Sequence, residues 1–211
     1  MKSTITKEKY LEIYEMLNKV SPVDYDCGRL CEAACCTCNF EPDDIEFTAE
    51  GDENADNYMG LYLLPGEEKV YEDDFGSNEA HDNWIKWGSI RAEDYEYPES
   101  WTGRVYFIEC KTAPKCNREY RPIQCRTFPL APHISEDDTF HVIVNCDLLP
   151  YECPLLESAF NDDGEYELNQ DFVDVTWQAW NELVKDPLIY DLIKMDSDYR
   201  IEDDAEIIIM K

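Results

Sequence analysis

The chain has 211 residues, 48 acidic side chains against 18 basic ones, and a formal charge of −30. Proteins that bind nucleic acid or anionic membrane surfaces draw most of their affinity from Lys and Arg, so neither partner is expected here. At 44% hydrophobic and 13% aromatic residues the chain is too rich in core formers for acidic disorder, and its length suits one domain over 1–211.

Residues 5–20 carry Ile5, Tyr10, Ile13, Tyr14, Leu17 and Val20 at three- and four-residue steps, which predicts an amphipathic helix capped by Thr4 or Thr6 and ended by Ser21-Pro22. A cysteine-rich run follows, then the acidic stretch EPDDIEFTAEGDENADN, a solvated loop. The apolar run 58–64 is cut by Pro65-Gly66 and predicts a strand ending in a turn. From Glu67 to about Glu99 a second acidic segment, holding Trp84 and Trp87, is expected to wrap the core. Residues 104–109 and 139–145 have strand composition, the second with Phe140, Val142 and Val144 alternating onto one face. Asn169 is a candidate cap for a helix over 170–185 with Phe172, Val175, Ala179 and Leu183 inward, and Asp186-Pro187 starts another over 187–195. No βαβ alternation and no repeat is visible, so the fold class is an irregular α+β domain with a helical C-terminal part over about 169–195. Calcium-loop frames starting at Asp52 and at Ala159 fail at position 6 or 12, which leaves the acidic runs as solvated faces.

Ten cysteines are present, too few for a small disulfide-stapled scaffold. The opening MKSTITKEKYLEIYEML has no apolar stretch of a secretory signal peptide, and no apolar run is long enough to span a bilayer. A cytoplasmic protein is therefore expected, whose thiols serve as metal ligands or redox groups rather than staples. Five of them fall within twelve residues: Cys27, Cys31, Cys35, Cys36 and Cys38. On a helix, Cys27, Cys31 and Cys35 would sit about 40° apart on one face, close enough for neighbours to share a metal. Thiolates suit Zn²⁺ or an iron–sulfur cluster, and spacing does not choose between them. Cys35-x₂-Cys38 also matches redox spacing, and Cys31-x₃-Cys35-x₂-Cys38 the spacing of radical S-adenosylmethionine enzymes. The barrel pattern those enzymes need is absent.

The other cysteines are Cys110, Cys116, Cys125, Cys146 and Cys153. Three of these stand in a basic island, CKTAPKCNREYRPIQCR over 110–126, which concentrates Lys111, Lys115, Arg118, Arg121 and Arg126 in an acidic protein. Arg118, Arg121 and Arg126 are expected to offset thiolate charge around a metal. A pocket for an anionic ligand, or surface pairing with carboxylates, are the other readings. His133 is positioned in sequence to complete a mixed Cys/His site, and His141 reads as structural. Gly-rich nucleotide loops, H-E-x-x-H and G-x-S-x-G are absent, so hydrolase or kinase chemistry has no support.

The doubled cysteine closing the run Cys27, Cys31, Cys35, Cys36, followed by Cys116 and the string Arg121-Pro122-Ile123-Gln124-Cys125-Arg126-Thr127-Phe128-Pro129, resembles a bacterial cysteine-cluster family described as a zinc- or iron-chelating domain. Flagellin lysine N-methylases are similar to that family, and the stretch from Tyr58 to Glu68 looks like its clostridial members. The resemblance spans roughly 24–153. It implies Cys27, Cys31, Cys35, Cys36, Cys116 and Cys125 as ligands, with Arg121 and Arg126 beside them. Here both gaps in the first run are three residues where the family uses two, so the ligand set need not be identical. Cys110, Cys146, Cys153 and Cys38 form a second tier. The expected function is cytoplasmic metal binding through zinc or an iron–sulfur cluster, and the alternative is an iron–sulfur enzyme of protein-lysine methyl transfer.

Overall fold

In the computed structural model, residues 1–37, 60–71, 85–110, 118, 121–161 and 164–211 are described. The first helix, α1 (Lys7–Leu17), starts where Thr6 accepts a hydrogen bond from the Lys9 amide. It turns Tyr10, Ile13, Tyr14 and Leu17 inward as their spacing predicts. Thr4 does not cap it; its amide and hydroxyl both donate to Asp186. The helix stops before Val20 because the chain must turn at Ser21-Pro22.

Two small antiparallel sheets lie beside the helices. The strands β1 (Gly60–Tyr62), β2 (Ile85–Arg91) and β3 (Arg104–Cys110) form one sheet in the order β1-β3-β2. Its register runs from Ile85 opposite Cys110 to Arg91 opposite Arg104. The ring of Phe107 on β3 occupies the space where a side chain on Gly60 would stand, so β1 needs glycine there. The second sheet pairs β4 (Leu130–Ile134) with β5 (Phe140–Val144). The C-terminal residues run along the outer edge of β5, the Val142 amide donating to the Lys211 carbonyl and that of Val144 to Ile208. This covers an edge that would otherwise invite pairing with another chain.

Between these strands stand short helices, α2 (Ala34–Thr37), α3 (Glu68–Tyr71), α4 (Ile123–Thr127) and α5 (Pro154–Phe160), and two long ones follow, α6 (Gln170–Leu183) and α7 (Pro187–Glu202). One core collects α1, α6 and α7 against both sheets, with Tyr10, Ile108, Ile134, Phe172, Trp180 and Ile189 fully buried. Each such aliphatic or aromatic side chain contributes about 1.5–3 kcal/mol. A smaller cluster of Val23, Cys153 and Leu155 packs beneath Cys27, Leu30 and Phe128.

The mixed α+β architecture is that expected. Four local expectations are corrected. The acidic stretch 67–99 does not simply wrap the core: β2 is the full-length partner of β3. The helix begun at Pro187 continues past 195 to Glu202, because Ser197 and Arg200 on its buried face are held by bonds to other elements. Asn169 makes no side-chain cap; its amide nitrogen donates to the Ser21 carbonyl. In β5 Val142, Ile143 and Val144 are all buried, since the sheet is covered on both faces. Among the described residues no helix is long and apolar enough to cross a membrane.

Candidate metal centre

The cysteine run does not form one helix. Asp26 accepts the Gly28 amide and opens a single 3₁₀ turn over Cys27–Arg29. The chain then reverses through Glu32 and Ala33, both left-handed at φ 53° and 60°, and the Ala33 amide closes the loop onto the Gly28 carbonyl. Each left-handed non-glycine residue costs about 1–2 kcal/mol. The expectation that Cys27, Cys31 and Cys35 share a helical face is therefore corrected: a tight loop followed by α2 presents the thiols. Strain of this kind persists where the surroundings over-determine it, commonly at functional sites.

At the start of α2 the sulfurs of Cys35 and Cys36 lie 4.0 Å apart. A long thiol–thiol hydrogen bond between them sets the local electrostatics. The hydrogen bond from the Cys35 thiol, with help from the charge of Arg121, pulls Cys36 down to about 7, and the same bond pushes Cys35 up. Cys35 also feels Cys125 and Cys27, while Cys27 feels Cys153 and Cys31. Three segments distant in the sequence thus bring their thiols into one neighbourhood. Burial pushes Cys27 up, and Arg121 opposes it. Burial likewise raises Cys153.

Cys125 is positioned from below. It sits in α4, whose first amide, that of Ile123, donates to the carboxylate of Glu67 at 2.7 Å. Glu67 is fully buried and also accepts from the Tyr14 hydroxyl at 2.6 Å and from the Leu64 amide at 3.1 Å. The Tyr14 and Tyr71 hydroxyls stand 3.0 Å apart beside it. Burial raises the Glu67 pKa, while its hydrogen bonds and the charge of Arg126 work the other way. No sequence pattern marks Glu67 out from its acidic neighbours; only its burial does.

The three arginines divide. Arg121 lies within electrostatic reach of Cys27, Cys36 and Asp26. Arg118 pairs with Asp26, and both side chains are about half exposed, so the pair orients more than it stabilises. Arg126 is built into the core: its guanidinium stacks 3.9 Å above the Tyr14 ring, its Nε donates to the Arg121 carbonyl at 2.5 Å, and its Nη1 donates to Asn18. It supports the chain that carries Cys125.

Other expected residues fall elsewhere. Cys146 lies beside Arg200 and Asp147. His133 is buried on β4 opposite His141, with Arg200, Lys194 and Asp198 as charged neighbours, and among the described residues no cysteine joins them. Cys38, Cys116 and the side chain of Cys110 lie outside the described residues. Among the described residues, no three His, Cys, Asp or Glu side chains stand close enough together to hold a metal ion.

The thiols open onto a cavity of about 900 Å³. Cys35, Cys36 and Cys125 line it together with Arg118 and Arg121, and Ile108, Leu130, Trp180 and Ile193 give it apolar walls. Asp196 and the Arg200–Asp147 pair line it as well. A cavity of this size, mostly apolar with a few polar groups, has the character of small-molecule sites. Family models, curated proteins and solved structures give no match to this chain.

Proposed function

We propose that the chain is a metal-binding protein of the cysteine-cluster type, holding zinc or an iron–sulfur cluster on thiolates from 27–36 and 125. Cys116 is the further ligand from the basic island, and Cys110 and Cys153 are second-tier candidates. The observation that carries the reading is the meeting of the Cys35–Cys36 pair, Cys27 and Cys125, from segments far apart in the chain, next to Arg121. The donors fit such a group in kind: soft sulfurs, a cation beside them that favours their ionised form, and partial burial. The described thiols do not form a closed set of three, so binding draws them together and couples to folding. A metal on these thiolates would cross-link the loop 27–36 to α4. The cavity next to the thiols supports the second reading, an iron–sulfur enzyme, because a purely structural site has no use for an adjoining pocket.

Anaerobically purified protein is expected to carry stoichiometric zinc or iron by elemental analysis. Absorption at roughly 400 nm that bleaches with dithionite identifies iron–sulfur; colourless protein with zinc identifies the zinc form. Cys35→Ser is expected to lower metal content and to lower the melting temperature by several degrees, because metal binding contributes to folding. Wild-type protein without stoichiometric metal would overturn the reading, and unchanged metal and melting in Cys35→Ser would remove that residue from the site.

A further inference from the structure

Asp196 lies half-buried on α7 in the wall of the large cavity, which Ile193, Trp180 and Leu130 also line, and among the described residues it makes no hydrogen bond and no ion pair. The natural partner is Arg200, four residues on and on the same helical face. That guanidinium is committed elsewhere. Its Nε and Nη2 grip both oxygens of Asp147 at 2.6 and 2.8 Å, and its Nη1 donates to the buried Pro132 carbonyl at 2.8 Å. Burial pushes the Asp196 carboxyl up to about 6; the charge of Arg200 pulls it down and that of Asp147 up. Tyr97, from the loop before β3, lies within electrostatic reach. A carboxylate kept without a partner is a standing cost that a ligand donor would relieve.

We propose that the cavity binds a small organic cation, a protonated aliphatic amine whose ammonium group pairs with Asp196 and whose apolar body lies along Ile108, Leu130 and Ile193. Three features support the sign of that charge. Asp196 offers acceptor oxygens only, the indole of Trp180 in the same wall is the side chain that best favours a nearby cation, and the −30 net charge draws cations toward the protein. Of the other carboxylates lining the cavity, Asp26 is paired with Arg118, Asp147 is paired with Arg200 and Glu32 is exposed, which leaves Asp196 as the docking point for the ammonium. The site does not depend on the metal reading, since among the described residues the charges acting on Asp196 are those of Arg200 and Asp147 and not a thiol's.

The test is calorimetric titration of the full chain, as purified and at physiological salt, with octylamine and with octan-1-ol as its neutral counterpart. Octylamine is expected to bind at least about tenfold more tightly, the discrimination that a charge-assisted hydrogen bond supplies. Asp196→Asn is expected to reduce the two affinities to near equality. That variant removes one carboxylate of 48 acidic side chains, so general attraction to the acidic surface survives in it. Equal binding of amine and alcohol by the wild type, which requires no variant to fold, would overturn the proposal. So would an absence of amine binding, or a preference for the amine that persists in a folded Asp196→Asn protein. Repeating the titration on Cys35→Ser separates the two sites: amine binding is expected to remain when metal is lost.

Discussion

Replacing Glu67 by Ala is expected to destabilise the fold by about 3–5 kcal/mol, the range for removing one partner from a buried charged network. Three donors lose their acceptor at once: the amides of Leu64 and Ile123 and the Tyr14 hydroxyl. None can turn to water, since Glu67 and Tyr71 are fully buried and Tyr14 nearly so. The positive charge of Arg126, stacked on Tyr14, also loses the carboxylate that balances it. For a chain of this length the melting temperature should fall by roughly 10 °C. Glu67→Gln is the informative companion. Its amide group must set an N–H against one of the same donors, so it should cost about 1–2 kcal/mol, less than Ala but not zero. Calorimetric melting of both variants checks this, and an Ala variant that melts with the wild type would show that the network carries little of the stability. Because α4 begins on Glu67, the loss is also expected to loosen Cys125.

Asp186→Ala should be the next most damaging change, at about 2–4 kcal/mol. The side chain, 4% exposed, does two jobs. One oxygen caps α7, accepting the Leu188 and Ile189 amides at 3.1 and 3.3 Å. The other ties down the chain start, accepting the Thr4 amide and hydroxyl at 2.7 and 2.8 Å and the Ser3 hydroxyl at 3.2 Å. Asp186→Ser separates the two: a serine caps a helix but is too short to reach Thr4, so about half of the loss should return. Amide hydrogen exchange at Thr4 reports the tie directly. It should accelerate in both variants, and slow exchange at Thr4 in Asp186→Ala would show that the N-terminal segment is held by something else.

How much of this was legible in the sequence depends on the range of the interaction. The inward face of α1, the start of α7 at Asp186-Pro187, and the strands at Arg104–Cys110 and Phe140–Val144 were all visible, because periodicity, capping and β-branched composition act over a few residues. Elements whose stability comes from partners far away were not. The strand β2 reads as a charged loop until β3 lies beside it, and the second half of α7 loses its apolar period because Ser197 and Arg200 find their partners on other elements. The cysteine run shows the same limit from the other side: four-residue spacing suggests a helix, but Glu32 and Ala33 take left-handed conformations that only the surrounding packing enforces.

For the candidate site, the sequence alone determined the kinds of atoms involved: ten sulfurs, a small basic island in a protein of charge −30, and the association of both with one motif. The tertiary structure decided which of them meet. It placed Cys27, Cys35, Cys36 and Cys125 on the lining of one cavity, turned Arg126 into the core while leaving Arg121 by these thiols, and set Cys146 and His133 apart from them. It also made two acidic residues with no sequence signature distinctive, Glu67 by giving it three donors and Asp196 by giving it none among the described residues. The physical reason is that a side chain's type is local information, whereas its desolvation and its partners depend on distances between segments that only folding brings together.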